Sequence, residues 1–221
     1  MDLEQIRFNM VEQQIRPWDV LDQEVLKLLF ELRREEFVLA AYRSLAFVDM
    51  EIPLGHGEVM LAPKLEARIL QELQVKKTDR ILEVGSGSGY LSALLAKKGD
   101  YVYSVEIVPE LKAMAEKNLQ AHEIGNVTVE LGDAARGWPE RGPYDVIVLT
   151  GSTPVLPEAF QQSLKTGGRL FAVVGDAPVM QALLVTCVAQ GEKTGAYNTV
   201  GLFETCIAPL RNAQQPARFT F

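Results

Sequence analysis

Ile81-Leu82-Glu83-Val84-Gly85-Ser86-Gly87-Ser88-Gly89-Tyr90 is the stretch that decides the fold. An apolar run of the kind buried in a parallel sheet passes straight into a glycine-rich turn, and a helical pattern follows from Leu91. Gly85, Gly87 and Gly89 lack a Cβ, so the chain can turn sharply and let a ligand approach the backbone. The helix that follows offers unpaired N–H groups. A ligand site at the carboxyl end of this strand is expected.

Downstream, apolar runs at 80–84, 101–105, 127–131, 145–149 and 169–174 read as strands. Helical patterns lie between them: 110–120 places Leu111, Met114, Ala115 and Leu119 on one face, and 156–164 runs up to Gly167-Gly168. This alternation predicts a Rossmann-like, doubly wound α/β fold with a mostly parallel sheet. The β-type runs 181–189 and 200–207, joined by the turn-rich 190–198, leave no room for a crossover helix, so an antiparallel C-terminal hairpin is expected.

Upstream, Val25, Leu28, Leu29 and Leu32 fall at helical spacing, and Pro17 closes a preceding stretch with Ile6, Met10 and Ile15. Pro53, Gly55 and Gly57 break the backbone, making 51–62 a loop before Pro63 opens a helix through Leu65, Ile69 and Leu73. Residues 1–77 therefore read as an N-terminal helical cap and loop, and 78–221 as the α/β core, together one compact unit.

Composition narrows the function. In 221 residues, 29 acidic against 22 basic side chains leave a net charge of -7, which argues against a broad nucleic-acid surface. No apolar run reaches the ~18 residues of a membrane span, and the N-terminus lacks signal-peptide features, so a soluble, cytoplasmic protein is expected with no membrane partner. The two cysteines, Cys187 and Cys206, are expected to be small apolar core residues. With two histidines, no HExxH and no paired cysteines, no metal site is supported. His56 reads as a surface loop residue and His122 as a solvated helix terminus.

Spacing selects the ligand. The dinucleotide fingerprint GxGxxG needs a small residue where Tyr90 stands, and the Walker pattern GxxxxGK[ST] is absent. Glu106 ends the next strand 17 positions after Gly89, where its two carboxylate oxygens can accept both hydroxyls of a ribose. Asp133 follows the third strand in Leu131-Gly132-Asp133-Ala134. Carboxylates at adjacent strand ends would address one nucleoside-like ligand.

Glu83, Gly85, Gly87 and Gly89 fill every place of the E/DxGxGxG motif, so the chain resembles class I S-adenosylmethionine-dependent methyltransferases. The resemblance implies S-adenosyl-L-methionine as cofactor, held by Glu83, Gly85, Ser86, Gly87, Ser88, Gly89, Glu106, Ile107, Asp133, Ala134 and Thr150. In it the glycine loop lies against the methionine part and ribose, Glu106 takes the ribose hydroxyls, and Asp133 with its neighbour approaches the adenine.

The likeness extends to the protein-L-isoaspartate (D-aspartate) O-methyltransferase family along nearly the whole chain. Met10-Val11-Glu12-Gln13-Gln14-Ile15-Arg16 is similar to its MVxxQI(x)R segment, and Arg34-Glu35-Glu36-Phe37-Val38 to RExFV. Ile52-Pro53-Leu54-Gly55 resembles its LPIG loop. Gly132-Asp133-Ala134-Ala135-Arg136-Gly137-Trp138-Pro139 resembles GDGxxGWP, and Ala208-Pro209-Leu210 resembles VPL. Isoaspartyl-containing proteins or peptides are the implied substrates.

The substrate loop departs from that pattern. Where the family has QTIS followed by a proline pair, this chain has Glu58-Val59-Met60-Leu61-Ala62-Pro63. Leu61 occupies the position of the catalytic serine, so no catalytic side chain is assigned. Lys64 and Glu66 stand where some members have histidines, and Arg211 where a Thr is common. Gly57, Glu58, Val59, Met60, Leu61 and Lys64 form the expected substrate loop. Thr150, the backbone amides near Gly57 to Met60, or Lys64 could orient a carboxylate, and Lys64 is the nearest cation in sequence. Three readings stay open: isoaspartyl repair, methylation of another acceptor, and a cofactor-binding homologue without strong turnover.

Overall fold

The computed structural model describes residues 2–189 and 195–216. Its first helix, α1 (Leu3–Met10), starts at Asp2, whose side chain accepts the Glu4 N–H, and runs through a π turn at Val11–Ile15 and a 3-10 turn at Arg16–Trp18. Asp22 caps α2 (Gln23–Glu31) by accepting from the Glu24 and Val25 N–H groups at 2.8 and 3.2 Å. The apolar stripe of α2 buries Val25, Leu26, Leu28 and Leu29. Pro63 occupies the first turn of α3 (Pro63–Leu73), where its missing N–H costs nothing.

Residues 51–62 correct the loop expectation: β1 (Ile52–Gly55) and β2 (Glu58–Met60) pair as an antiparallel hairpin. Gly55, His56 and Gly57 have φ of 91°, 56° and 81°, so the apparent breakers form its turn. Alternate burial of Ile52 and Leu54 supplies the strand signal that Pro53 hides.

The core elements are β3 (Arg80–Val84), α4 (Tyr90–Lys98), β4 (Tyr101–Glu106), α5 (Pro109–Ala121), β5 (Val127–Leu131) and β6 (Tyr144–Leu149). They continue with α6 (Glu158–Gln162), β7 (Leu164–Asp176), β8 (Val179–Ala189) and β9 (Ala196–Thr205). The sheet order is β5-β4-β3-β6-β7-β8-β9, parallel through β7 and antiparallel for β8 and β9. Strand order reverses between β3 and β6, and the ligand crevice of an open α/β sheet lies at such a point.

Several boundaries shift. The helix expected over 156–164 is only α6, because Leu164 already pairs with Tyr144 and Gly167-Gly168 lies within β7. The hairpin exists, but 190–194 of its expected connection lie outside the described residues, and Tyr197 and Asn198 belong to β9. Cys187 is buried as expected, whereas Cys206 is exposed just beyond the end of edge strand β9. His122 is not solvated: its side chain is 17% exposed and its ring stacks on Phe37 at 4.4 Å, because the cap covers the end of α5.

Alternation along β3 separates two faces. Leu82 and Val84 pack with Ile147, Phe160 and Leu170, while Ile81 joins the larger cluster shared with the cap. Tyr90 fastens that cap. Fully buried, it meets Phe37 edge-on at 5.2 Å and donates its hydroxyl to the Leu32 carbonyl at 3.3 Å. Burial of such a ring contributes about 1.5–3 kcal/mol. Among the described residues no helix is long and apolar enough to cross a membrane.

Candidate cofactor and acceptor site

The loop after β3 is held open from below. Gly85 has φ 96°, and a Cβ there would lie 2.2 Å from the Thr150 Oγ1. Thr150, just past β6, donates that hydroxyl to the Val84 and Gly85 carbonyls at 2.8 and 2.9 Å. Its proton is thus committed to bracing the loop, leaving it no donor for an acceptor carboxylate. The Glu106 carboxylate, at the end of β4, accepts the Gly87 N–H through Oε2 at 2.9 Å and the Val108 N–H through Oε1 at 3.0 Å. Each oxygen keeps a second lone pair.

Glu83 lies on the covered face beneath the loop. Its Oε2 accepts from Ser104 Oγ at 2.5 Å and from Ser92 Oγ, while its buried Oε1 has no partner among the described residues. Burial pushes the Glu83 carboxyl up to about 8, opposed by the bonds from Ser104 and Ser92 and helped by the nearby Glu106 charge. Asp133 accepts the Ala135 N–H at 3.0 Å and the Asn212 side-chain amide at 2.8 Å.

These groups line one cleft of about 900 Å³, counted to its open mouth. Glu83, Gly85, Ser86, Gly87, Ser88, Glu106, Ile107, Asp133, Ala134 and Thr150 all reach it. Gly89 does not: with φ 82° it caps α4, and a Cβ there would lie 3.1 Å from the Ala115 Cα, so its missing side chain allows close packing. Of the expected substrate loop, Glu58, Val59, Met60 and Leu61 line the cleft. Gly57 stays in the hairpin turn, outside the lining. Lys64 also points elsewhere, because its Nζ pairs with Asp49 at 2.6 Å and sits 4.1 Å from the centre of the Trp18 ring. It is therefore not the acceptor-side cation.

Two contributors, Arg34 and Arg211, carry no partner in the sequence motifs that contain them. Buried Arg34 donates to the Leu61 carbonyl at 2.6 Å, to the Ala46 carbonyl at 3.1 Å and to Glu66, so it fixes the backbone of the substrate loop. Burial raises the Glu66 carboxyl, and Arg34 pulls it back. Arg211, noted only as a departure from Thr, lines the cleft and pairs with Glu58 at 2.6 Å. Among the described residues no group of three His, Cys, Asp or Glu side chains could hold a metal.

Comparison with known proteins decides the family. The model of protein-L-isoaspartate(D-aspartate) O-methyltransferase matches residues 6–202. The chain belongs to this family. A protein-L-isoaspartate O-methyltransferase 2 of Marinobacter nauticus is 37% identical over 192 residues, covering 86% of this chain and 88% of the relative. A protein-L-isoaspartate O-methyltransferase of Methanoculleus marisnigri is 35% identical over 204 residues, covering 92% and 90%. A solved protein-L-isoaspartate O-methyltransferase superposes with a TM-score of 0.75 at 27% identity, covering 93% of this chain and 65% of its own. A Plasmodium falciparum protein solved with S-adenosyl-L-homocysteine gives 0.74 at 22% identity, covering 94% and 97%, and shows the shared fold. Within this isoaspartate O-methyltransferase fold, the glycine loop and the β1–β2 hairpin face each other across the same cleft.

Proposed function

We infer that this protein is an S-adenosylmethionine-dependent methyltransferase acting on the free carboxylate of isoaspartyl residues in damaged proteins. The observation that carries this reading is the family match over residues 6–202, which takes in both the glycine loop and the hairpin that share the cleft.

The lining suits the cofactor. Glu83 Oε1, without a partner among the described residues, would offer an acceptor to a cationic amine, Gly85 and Gly87 leave the backbone uncovered, and Glu106 keeps lone pairs for a ribose diol. Asp133 and Ala134 line the same cleft and would meet the base. S-adenosylmethionine, when bound, supplies a methyl group activated by its sulfonium sulfur. The acceptor is already ionised near neutral pH, since an unperturbed carboxyl has a pKa of about 4, so no general base is required. The protein's contribution is then alignment, an effect that can supply roughly 7–11 kcal/mol when reacting atoms are held near attack geometry. Arg34 serves it by holding the Leu61 carbonyl, and with it the loop backbone.

Radiolabelled methyl transfer to an isoaspartyl peptide, beside its ordinary aspartyl twin, tests the reading. Transfer to the first alone is expected. No transfer to either, with cofactor binding intact, would overturn it. The second reading, another acceptor or binding with little turnover, is favoured by one observation: Leu61 lines the cleft where the family places a hydroxyl.

A further inference from the structure

We propose that Arg211 positions the acceptor, its guanidinium receiving the carboxylate to be methylated where Leu61 offers no hydroxyl. This rests on the isoaspartyl reading above. Among the described residues, the lining of the cleft holds the acids Glu58, Glu106 and Asp133, two more, Glu66 and Glu83, whose protonated form burial favours, and one cation, Arg211. An anionic acceptor entering beside the Glu58, Glu106 and Asp133 carboxylates needs a local counter-charge.

The fold delivers that charge deliberately. The Ser152 N–H donates to the Ala208 carbonyl and the Leu210 N–H to the Ser152 carbonyl, both at 2.9 Å. These bonds pin the C-terminal segment beside the end of β6, so Arg211 emerges at the cleft mouth. There its Nε donates to Glu58 Oε1 at 2.6 Å and its Nη2 to the His56 carbonyl. Both bonds use one edge of the planar guanidinium. The other edge, formed by Nη1 and the second Nη2 hydrogen, has no partner among the described residues, and it has the geometry to donate two parallel bonds to a carboxylate.

Glu58 and the His56 carbonyl therefore aim the group without occupying its outer edge. The Arg211 side chain is 44% exposed, within reach of a residue presented by a protein substrate. Leu54, Val59, Leu61 and Leu210 add apolar surface to the lining of the same cleft.

The test compares Arg211→Met and Arg211→Lys with the unaltered protein in methyl transfer to an isoaspartyl peptide. Calorimetry with the same peptide, on protein saturated with S-adenosylhomocysteine, gives binding directly. For Arg211→Met, the KM and the peptide Kd should rise about ten- to a hundredfold, as expected for loss of charge-assisted hydrogen bonds. Arg211→Lys, which keeps the charge but loses the fork, should fall between, and S-adenosylhomocysteine affinity should hold in both. Unmoved KM and peptide Kd would overturn the proposal, as would a loss confined to kcat and cofactor affinity, the signature of a merely structural role. Absence of transfer by the unaltered protein is a different failure. It removes the isoaspartyl reading and this inference with it.

Discussion

Glu106 and Gly87 are joined by a hydrogen bond of 2.9 Å from the Gly87 N–H to Oε2, so the carboxylate at the end of β4 holds the glycine loop that follows β3. The residue assigned to the ribose is also a structural tie of the loop. Glu106→Ala would leave the Gly87 and Val108 N–H groups without their acceptor, each at a cost of about 1–3 kcal/mol if buried. Calorimetric titration with S-adenosylhomocysteine should show at least about a tenfold loss of affinity. Unchanged affinity would remove Glu106 from the cofactor site.

Gly85→Ala should be more damaging than a methyl group suggests. The left-handed backbone costs about 1–2 kcal/mol for a residue with a Cβ, and the new carbon would strike the Thr150 hydroxyl. Relief of the clash has to pull Thr150 off the Val84 and Gly85 carbonyls. Loss of cofactor binding in a protein whose circular dichroism remains native is the expected result.

Glu83 makes stability depend on pH. Its folded-state carboxyl is raised from an ordinary 4.5 to about 8, so the folded protein holds a proton that the unfolded chain has released. Its stabilising contribution is complete below about 4.5 and is lost as pH rises through about 8. Each unit in that window removes up to about 1.4 kcal/mol per proton of difference. Urea midpoints measured from pH 5 to pH 8 should fall, and Glu83→Gln should make the slope shallower. Glu66, raised in the same direction, leaves a residual slope. A midpoint independent of pH in the unaltered protein would contradict this.

Arg34→Met should cost about 3–5 kcal/mol, since it leaves the buried Glu66 carboxyl and two carbonyl acceptors without their donor. Arg34→Met combined with Glu66→Leu should recover part of the loss, because the unpaired buried carboxyl is gone. Chemical denaturation of both single variants and the pair measures that coupling. Strict additivity would show that the two side chains act independently.

Leu61→Ser separates stability from chemistry at one position. Leu61 is buried in the main apolar cluster, so truncating it should lower stability by about 2–5 kcal/mol. A hydroxyl facing the cleft adds one neutral hydrogen bond to an acceptor, which should raise kcat/KM for an isoaspartyl peptide about fivefold. A loss of stability with no gain in rate would mean that the acceptor does not pass Leu61.

The reading from sequence reached the elements whose cause is local. The strand at 80–84, the glycine turn, the helix after it, and the acids Glu106 and Asp133 at strand ends are each written in adjacent residues, through apolar periodicity and missing Cβ atoms. The parallel core and its antiparallel hairpin follow from the lengths between runs. Hairpin β1–β2 was hidden because glycine and proline mark a turn equally whether it lies in a loop or between two short strands.

What tertiary structure decided is where the charged side chains go. Lys64, close in sequence to Leu61, turns to Asp49 and Trp18, while Arg211 comes from 153 residues away to meet Glu58 across the cleft. Arg34 is placed against Glu66 and the Leu61 carbonyl by the burial of the whole cap. Sequence by itself determined the family, the sheet and the glycine-rich loop, because turn geometry and periodicity act between neighbours. The cation available to an acceptor was decided by packing, since a long side chain on a short loop pairs with whichever opposite charge the assembled fold sets within its reach.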